Sequence, residues 1–468
     1  MKPFEFKLIL TLFTALILLM SFPVAARAAD DPRLKPINKV GVNLLSPDSE
    51  IEEASQMVNN NGDWGWVLIV IKKSERNVDR WQGVFHQLSK RRLIPIVRIA
   101  TDFDSRGYWQ KPTDEDAYTW ADFLSKLYWP TENRYVQIYN EVNHANEWGG
   151  AVDPSIYAAE LSKTASELKA KSDEFFVLNA PLDLAVKNSS TSMDAGLFYQ
   201  TMESTVPGVF LQIDGWASHS YPNPDFAASP TKQGRESIKG YDWELNLVSK
   251  YLGNRDLPIF ITETGWKRQT ANQRGLLEQI VADYYKHAFE KVWSDEKVVA
   301  VTPFVFNYSD GLFDAFSFKD SERKVGAKFY SYYYAIRELI KGKGDPQRKN
   351  AASEFEIDVP SIIITNFADR GTVRIKNIGN EIWQVGENLR FDVKANNAQV
   401  FDLYFEKNEV FPGENLRADF KIKSEKSGEV SLMFETISDD QILASAQMTT
   451  KSEPWIFRIF EILKSFRS

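Results

Sequence analysis

The 468-residue chain contains no cysteine and only four histidines, His86, His144, His219 and His287. Without cysteine there is no disulfide, no thiolate metal ligand and no cysteine nucleophile. The histidines form neither an HExxH motif nor another close ligand pair, so a zinc site is not expected. We predict no cofactor and no metal, and the sequence leaves calcium binding by Asp and Glu open.

An excess of basic residues is also absent. The chain has 56 Lys and Arg against 64 Asp and Glu, which gives a formal net charge of -8. Nucleic-acid binding requires a basic face, so nucleic acid is not an expected partner. The 43% hydrophobic and 13% aromatic content is that of a globular protein. The length allows two or three domains with sizeable cores.

A long hydrophobic run occurs near the N-terminus, at residues 8–22. Lys2 and Lys7 precede it, and Ala26-Arg27-Ala28 follows as a small-x-small cleavage site. This pattern is typical of a secretory signal peptide, here residues 1–29. The alternative is an uncleaved anchor helix, but the run is shorter than the about 20 residues that a span requires. We therefore expect a secreted or cell-envelope protein, and export without cysteine favours a bacterial source.

Residues 33–345 alternate between strand and helix patterns. Eight apolar strand patterns are accompanied by seven amphipathic helical segments, an order that predicts the α/β class and a (β/α)8 TIM barrel. An open doubly wound sheet is the alternative, but Gly41-Val42-Asn43 lacks the glycine-rich phosphate turn expected after its first strand. The predicted strands are residues 40–43, 66–71, 94–100, 135–141, 175–179, 215–220, 259–263 and 298–306.

The C-terminal third has a different pattern. A polar linker at residues 346–356 precedes seven short strand patterns without helices, which predict a small immunoglobulin-like β-sandwich at residues 357–452. Residues 453–468 form an amphipathic tail. We favour a helix that docks on the protein, and the alternative is an interfacial helix that makes peripheral membrane contact.

Two of the predicted barrel strands end in a glutamate. The run YVQIYNE ends at Glu141, and PIFITE ends at Glu263. Ionised carboxylates are rarely buried without a partner, and the carboxyl ends of barrel strands are where chemistry is done. Two carboxylates in one pocket suit glycosidic bond cleavage, because like charges separate their pKa values into an acid and a nucleophile. Their separation decides between retention and inversion, and the sequence does not measure it.

The ordered set of Asn140-Glu141 after the fourth strand and Glu263 after the seventh resembles glycoside hydrolase clan A. This is the retaining (β/α)8 superfamily that includes families 5 and 39, and the resemblance covers about residues 40–341. It implies that Glu141 is the acid/base, Glu263 is the nucleophile and Asn140 binds the sugar 2-hydroxyl. Phe306 and Asn307 stand where many clan members have a Trp platform, so the substrate stays open.

Further residues of the sugar site are implied by the same resemblance. His219 and Tyr221 lie two apart on a strand and therefore share a face, with Tyr221 beside the nucleophile. Arg98, at the end of the third strand, is implied to orient Glu263 and to lower its pKa. The alternative for Arg98 is an ordinary barrel salt bridge.

Aromatic rings are expected in the site, because the C–H faces of pyranoses are apolar and stack on them. Trp148 and Trp266 follow the two glutamates closely, and Trp109 follows the third strand. These three are candidate sugar platforms, and each has a core position as its alternative. Asn43, at the end of the first strand, is a further candidate for the pocket.

The sequence therefore predicts an exported retaining glycoside hydrolase that cleaves the O-glycosyl bonds of β-linked oligo- or polysaccharides by double displacement. The alternatives are a catalytically inactive carbohydrate-binding protein and an envelope scaffold on the same barrel. The sugar, the linkage, endo or exo action and the oligomeric state are not predicted.

Overall fold

The computed structural model describes residues 29–60, 63–309, 311–320 and 328–456. The predicted signal peptide lies outside the described residues except for its last position, and so does the predicted tail beyond Ile456. Within the described ranges, no helix combines the length and the apolar character needed to cross a membrane.

Eight parallel strands alternate with helices from residue 41 to residue 337. Strands β1 to β5 form one sheet in chain order, and β6 to β8 form a second. Each observed strand overlaps a predicted one and mostly ends earlier, so both glutamates lie just beyond their strands. The strands are β1 (Gly41–Leu44), β2 (Gly65–Lys72), β3 (Leu93–Ala100), β4 (Arg134–Ile138), β5 (Phe175–Leu178), β6 (Trp216–Ser218), β7 (Ile259–Ile261) and β8 (Val298–Val301).

Two single parallel bridges join the two sheets into a closed cylinder. Val40 pairs with Val301 where β1 meets β8, and Leu178 pairs with Gly215 where β5 meets β6. A closed, all-parallel sheet with a helix after each strand fits the predicted (β/α)8 barrel. The open doubly wound alternative is excluded, because such a sheet has two free edges.

Asparagine side chains supply hydrogen bonds at both seams of the cylinder. Asn179 accepts a hydrogen bond from the backbone N–H of Ala217 at 2.9 Å and donates to its carbonyl at 3.1 Å. Asn43 donates to the carbonyls of Thr262 at 2.9 Å and Thr302 at 2.7 Å. Because Asn43 is buried and satisfied by these strands, the expectation that it faces the pocket is wrong.

The helices lie outside the barrel, and seven of them overlap the predicted segments. Helix α5 was not predicted. It begins after Asp194, whose side chain accepts hydrogen bonds from the backbone N–H groups of Gly196 and Leu197 as an N-cap. The α-helices of the described residues are α1 (Pro47–Val58), α2 (Val78–Lys90), α3 (Asp116–Ser125), α4 (Pro154–Lys171), α5 (Ala195–Thr205), α6 (Gly240–Val248), α7 (Glu278–His287) and α8 (Ser331–Arg337).

Aromatic rings fill the amino-terminal half of the barrel interior. The Trp66 ring lies 5.0 Å from that of Tyr135 and 5.7 Å from that of Phe260, and Phe176 packs against the same group. All four are second residues of their strands. This packed plug leaves only the carboxyl ends of the strands for a polar site.

The C-terminal region is all-β, as predicted, and its immunoglobulin-like assignment remains a prediction. Two four-stranded sheets, ordered β14-β16-β11-β9 and β10-β18-β17-β13, face each other across an apolar core that includes Phe420 and Phe434. Strands β9, β12 and β15 were not predicted. The strands are β9 (Glu356–Asp358), β10 (Ile362–Ile364), β11 (Asp369–Lys376), β12 (Trp383–Gln384), β13 (Arg390–Asn396), β14 (Gln399–Phe405), β15 (Glu409–Val410), β16 (Asn415–Lys423), β17 (Gly428–Ser438) and β18 (Gln441–Glu453).

This β-region contacts the barrel near the amino-terminal ends of its strands. The side chain of Asn380 donates to the carbonyl of Trp129, just before β4, at 2.9 Å. Lys90, at the end of α2, pairs with Glu409 at 3.0 Å. Since α2 ends shortly before β3 begins, both contacts lie away from the carboxyl ends of the strands. The β-region therefore does not line the predicted site through these contacts.

Candidate active site

Glu141 is held in place by an irregular turn after β4. Tyr139 and Glu141 both have positive φ, 66° and 36°, which is uncommon for residues other than glycine and needs support from the surroundings. The backbone N–H of Glu141 donates to the carbonyl of Pro181 at 2.9 Å, and the N–H of His144 donates to the carbonyl of Glu141 at 2.8 Å. These bonds fix the carboxylate at the carboxyl end of the barrel.

Glu263 is placed in a similar way after β7. The hydroxyl of Thr264 donates to the carbonyl of Ser220 at 2.7 Å, which ties the turn to the β6 segment. Gly265 follows with φ of 152°, and a Cβ there would lie 2.8 Å from the hydroxyl of Tyr285. The turn therefore requires glycine, and it places Glu263 at the same carboxyl end of the barrel as Glu141.

One imidazole ring lies between the two glutamates. Nδ1 of His219 is 2.8 Å from Oε1 of Glu141, and Nε2 of the same ring is 3.8 Å from Oε1 of Glu263. Because the two nitrogens are only about 2 Å apart, the two carboxylates lie within about 9 Å, a range that allows both to act on one glycosidic bond. His219 is 1% exposed, so the ring contacts both carboxylates from a buried position.

Two more predicted residues contact Glu263. The hydroxyl of Tyr221 donates to Oε2 of Glu263 at 3.2 Å. Nη1 of Arg98 lies 3.6 Å from Oε1 of Glu263, and Nη2 lies 3.6 Å from Glu147. Asn140 is buried beside them and lines one small recess together with Arg98 and Glu147. The structure thus brings Glu141, Glu263, His219, Tyr221, Arg98 and Asn140 together.

Burial dominates the electrostatics of both glutamates. It raises the pKa of Glu141 to about 7, and the nearby charge of Asp183 adds to this. Burial also raises the pKa of Glu263, but the neighbouring His219 and Arg98 oppose that shift. Arg98 lowers the pKa of Glu263, as expected, but burial outweighs this effect and the net shift is upward.

His219 is neutral at pH 7, because burial lowers its pKa to about 4. When Glu141 carries a proton, its O–H can donate to Nδ1 of His219. The ring N–H then sits on Nε2 and faces Glu263. This arrangement favours the proton on Glu141 and places a donor toward Glu263, which suits an acid and a nucleophile.

Sequence reasoning missed three titratable residues of this site, Glu147, His144 and Asp183. Nε2 of His144 lies 3.0 Å from Oδ2 of Asp183, next to Glu141. Burial disfavours charge on His144, yet the hydrogen bond with Asp183 prevails and its pKa is raised. Two signals pointed to these residues: Asp183 follows the fifth strand, and His144 and Glu147 follow Glu141 at intervals of three.

The structure contradicts two of the predicted sugar platforms. Trp148 is fully buried, with its ring 5.5 Å from that of Tyr139. Trp266 is 1% exposed, packs edge-on against Tyr285 and donates its ring N–H to the carbonyl of Ala228. Neither ring has a free face, so both belong to the core between barrel and helices.

Other aromatic rings lie near the two carboxylates instead. Trp109 is half-buried, 4.0 Å from the exposed ring of Phe103, and the guanidinium of Arg98 lies 5.6 Å from it. On the Glu263 side, Phe226 packs against Tyr221 at 5.1 Å. Apolar surface therefore lies on both sides of the carboxylates, as a sugar site requires.

A cavity of about 910 Å³ opens at the amino-terminal end of the barrel, while the recess lined by Arg98, Asn140 and Glu147 measures about 10 Å³. Its charges are already compensated, since Arg33 pairs with Asp31 and Asp256, and Lys39 donates to the carbonyl of Asp295. Among the described residues, no group of three His, Cys, Asp or Glu side chains is placed to hold a metal ion. The convergent polar groups are those around Glu141 and Glu263.

Comparison with known proteins finds likeness among solved structures alone. No family model matches the chain, and no curated protein matches it. A monomeric beta-xylosidase from Caulobacter crescentus CB15 is 13% identical, with 75% of this chain and 74% of that chain covered and a TM-score of 0.47. A family 39 glycoside hydrolase from Bacteroides cellulosilyticus WH2 is 12% identical, with 85% and 83% covered and a TM-score of 0.44.

A beta-mannanase from Streptomyces thermolilacinus is 14% identical, with 64% of this chain and 90% of that chain covered and a TM-score of 0.40. The structures that this chain resembles are thus glycoside hydrolases of clan A, as the motif resemblance predicted. At such identities and TM-scores the similarity is limited to the fold and does not extend to an activity.

Proposed function

We propose that the chain is a retaining glycoside hydrolase that cleaves β-linked glycans with Glu141 as acid/base and Glu263 as nucleophile. The observation that carries the proposal is the contact of one buried imidazole, His219, with both carboxylates. Through this ring, the two carboxylates lie within about 9 Å of each other, which supports a role for both at one glycosidic bond. A structural salt bridge would place a cation, and not a neutral ring, between them.

In the first step, the protonated Glu141 gives its proton to the glycosidic oxygen. An oxygen of Glu263 attacks the anomeric carbon, the glycosidic bond breaks and the aglycone leaves with the proton. Arg98 and the hydroxyl of Tyr221 hold the Glu263 carboxylate in position for this attack. The products are a free aglycone and a glycosyl ester on Glu263.

In the second step, the ionised Glu141 takes a proton from water. The water oxygen attacks the anomeric carbon, the ester bond breaks and Glu263 leaves as a carboxylate. Each step inverts the configuration at the anomeric carbon, so the product retains the configuration of the substrate. The raised pKa of Glu141, about 7, suits a group that must give a proton and then take one.

A panel of aryl β-glycosides and β-linked polysaccharides tests this proposal. We expect Glu263→Ala to abolish turnover and added azide to restore it with an α-glycosyl azide as product. Glu141→Ala should spare the first step for substrates with good leaving groups and yield a β-glycosyl azide. If the parent cleaves nothing on the panel while still binding glycans, the alternative of an inactive carbohydrate-binding protein replaces the proposal.

Export is part of the proposal and depends on residues 1–29 of the sequence alone. Expression with and without this segment in a bacterial host tests it, with cell fractionation and mass of the mature N-terminus as readouts. A full-length product that stays in the cytoplasm would contradict it. Removing residues 453–468 tests the peripheral membrane contact, since loss of membrane association is expected only if the tail anchors the protein.

A further inference from the structure

Glu147 is a third buried carboxylate in the site, and the proposed mechanism gives it no step. It follows Glu141 by six residues, after the turn that His144 begins. Its carboxylate lies 3.6 Å from Nη2 of Arg98, while Nη1 of the same guanidinium lies 3.6 Å from Glu263. A single cation is therefore shared by the nucleophile and Glu147, and each carboxylate limits where Arg98 can lie.

Glu147 also contacts Asn140, the residue that the resemblance assigns to the substrate. Asn140, Arg98 and Glu147 line one small recess. Burial raises the pKa of Glu147 to about 7, and the Asn140 side chain opposes this rise, as its NH₂ group does when it faces the carboxylate. Its other polar atom, Oδ1, is buried and has no hydrogen-bond partner among the described residues. A buried acceptor without a partner is unfavourable, so this orientation needs a cause.

We propose that Glu147 is a positioning residue that fixes Arg98 between its own carboxylate and that of Glu263, and turns Asn140 so that its Oδ1 accepts a hydrogen bond from the substrate. The inference builds on the proposed glycosidase function. It predicts a hydroxyl or N–H donor on the sugar at the Asn140 position. That donor satisfies Oδ1, which is otherwise unpaired, and the bond contributes most when it tightens in the transition state.

The first experiment measures kcat and KM of the parent and of Glu147→Gln on two substrates, an aryl β-glycoside and its 2-deoxy analogue. Gln keeps the volume and removes the charge that anchors Arg98 and Asn140. We expect kcat/KM on the parent glycoside to fall by about 10- to 100-fold, mainly through kcat. The fall on the 2-deoxy analogue should be smaller, because the donor that Asn140 would bind is already missing and only the effect through Arg98 remains.

Glu174→Gln is the matched control, since Glu174 also pairs with an arginine, Arg134, at 2.6 Å but lies at the start of β5, away from the site. Its kcat/KM should equal that of the parent on both substrates. Equal losses for Glu147→Gln on the two substrates, or no loss at all, would overturn the inference. Glu147→Asp keeps the charge, and we expect it to recover part of the loss.

Crystal structures of the parent and of Glu147→Gln make the test independent of turnover. Without the shared carboxylate, the Arg98 guanidinium should move toward Glu263, and the Asn140 amide should rotate. If both side chains stay in place, the positioning role is wrong whether or not the protein is a glycosidase. If they move in a protein that cleaves no glycoside, the positioning role stands and the proposed function fails.

Discussion

The imidazole Nδ1 of His219 lies 2.8 Å from the carboxylate of Glu141. Because Nε2 of the same ring faces Glu263, a change of charge on either glutamate is felt by the other through one buried group. The titrations of the three residues are therefore coupled, and an apparent pKa belongs to the group as a whole. Activity, pH dependence and the protonation of His219 should change together in variants.

The first prediction concerns His219→Ala. Removing the ring leaves the two carboxylates without a separator and Glu141 without its hydrogen-bond partner. We expect kcat/KM on aryl glycosides to fall by about 100-fold. His287→Ala, at the end of α7 on the outside of the barrel, serves as the control and should keep parental rates. If His219→Ala kept the parental rates, the ring would contribute to packing alone and not to activity.

The second prediction concerns the pH profile of kcat/KM. Glu141 must be protonated to act as acid, and its pKa is about 7, so activity should decline as the pH rises through 7. Glu263 must be ionised, and burial raises its pKa above the ordinary 4.5, so activity should also decline toward acid pH. A dinitrophenyl leaving group needs no protonation, and with it the decline above pH 7 should disappear. A decline that persists would contradict the role of Glu141.

The alternating apolar strands made the barrel and its strand-end glutamates predictable, because strand period and strand ends are local properties. Whether a tryptophan near such an end has a free face is not local. Trp148 and Trp266 are covered by Tyr157, on α4, and by Trp293, which follows α7, and their contacts depend on how these helices pack on the barrel. The sharing of Arg98 is likewise a tertiary contact that spacing alone does not reveal.

The third prediction compares the substitution of a buried aromatic residue with that of an exposed aromatic residue near the two carboxylates. Trp266→Ala should destabilise the fold by about 3–5 kcal/mol, because it leaves a large cavity, and should raise the urea sensitivity without a selective effect on KM. Phe103→Ala removes a ring that is 51% exposed and lies 4.0 Å from that of Trp109, so stability should change little and KM for polysaccharides should rise. If Trp266→Ala raised KM without lowering the free energy of unfolding, Trp266 would be a sugar-binding residue after all.

The fourth prediction concerns Glu244, a fully buried residue that accepts hydrogen bonds from Tyr199 and from Ser218, next to His219. Burial raises its pKa to about 7 from 4.5, so folding takes up a proton between these pH values. Its contribution to stability is present below about pH 4.5 and is lost as the pH rises through 7. Glu244→Gln should flatten this dependence in urea unfolding at pH 5 and 8, and the exposed Glu296→Gln should not.

The last prediction concerns the seam between the two sheets of the barrel. Asn179 pairs with both backbone groups of Ala217 where only one bridge joins β5 to β6. Asn179→Ala leaves two buried backbone groups unpaired, and each costs about 1–3 kcal/mol, so we expect a lower free energy of unfolding and faster hydrogen exchange in β6. His219 follows β6 directly, so loosening this strand should also lower kcat. Asn246→Ala, on the exposed face of α6, should change neither quantity, because no strand depends on it.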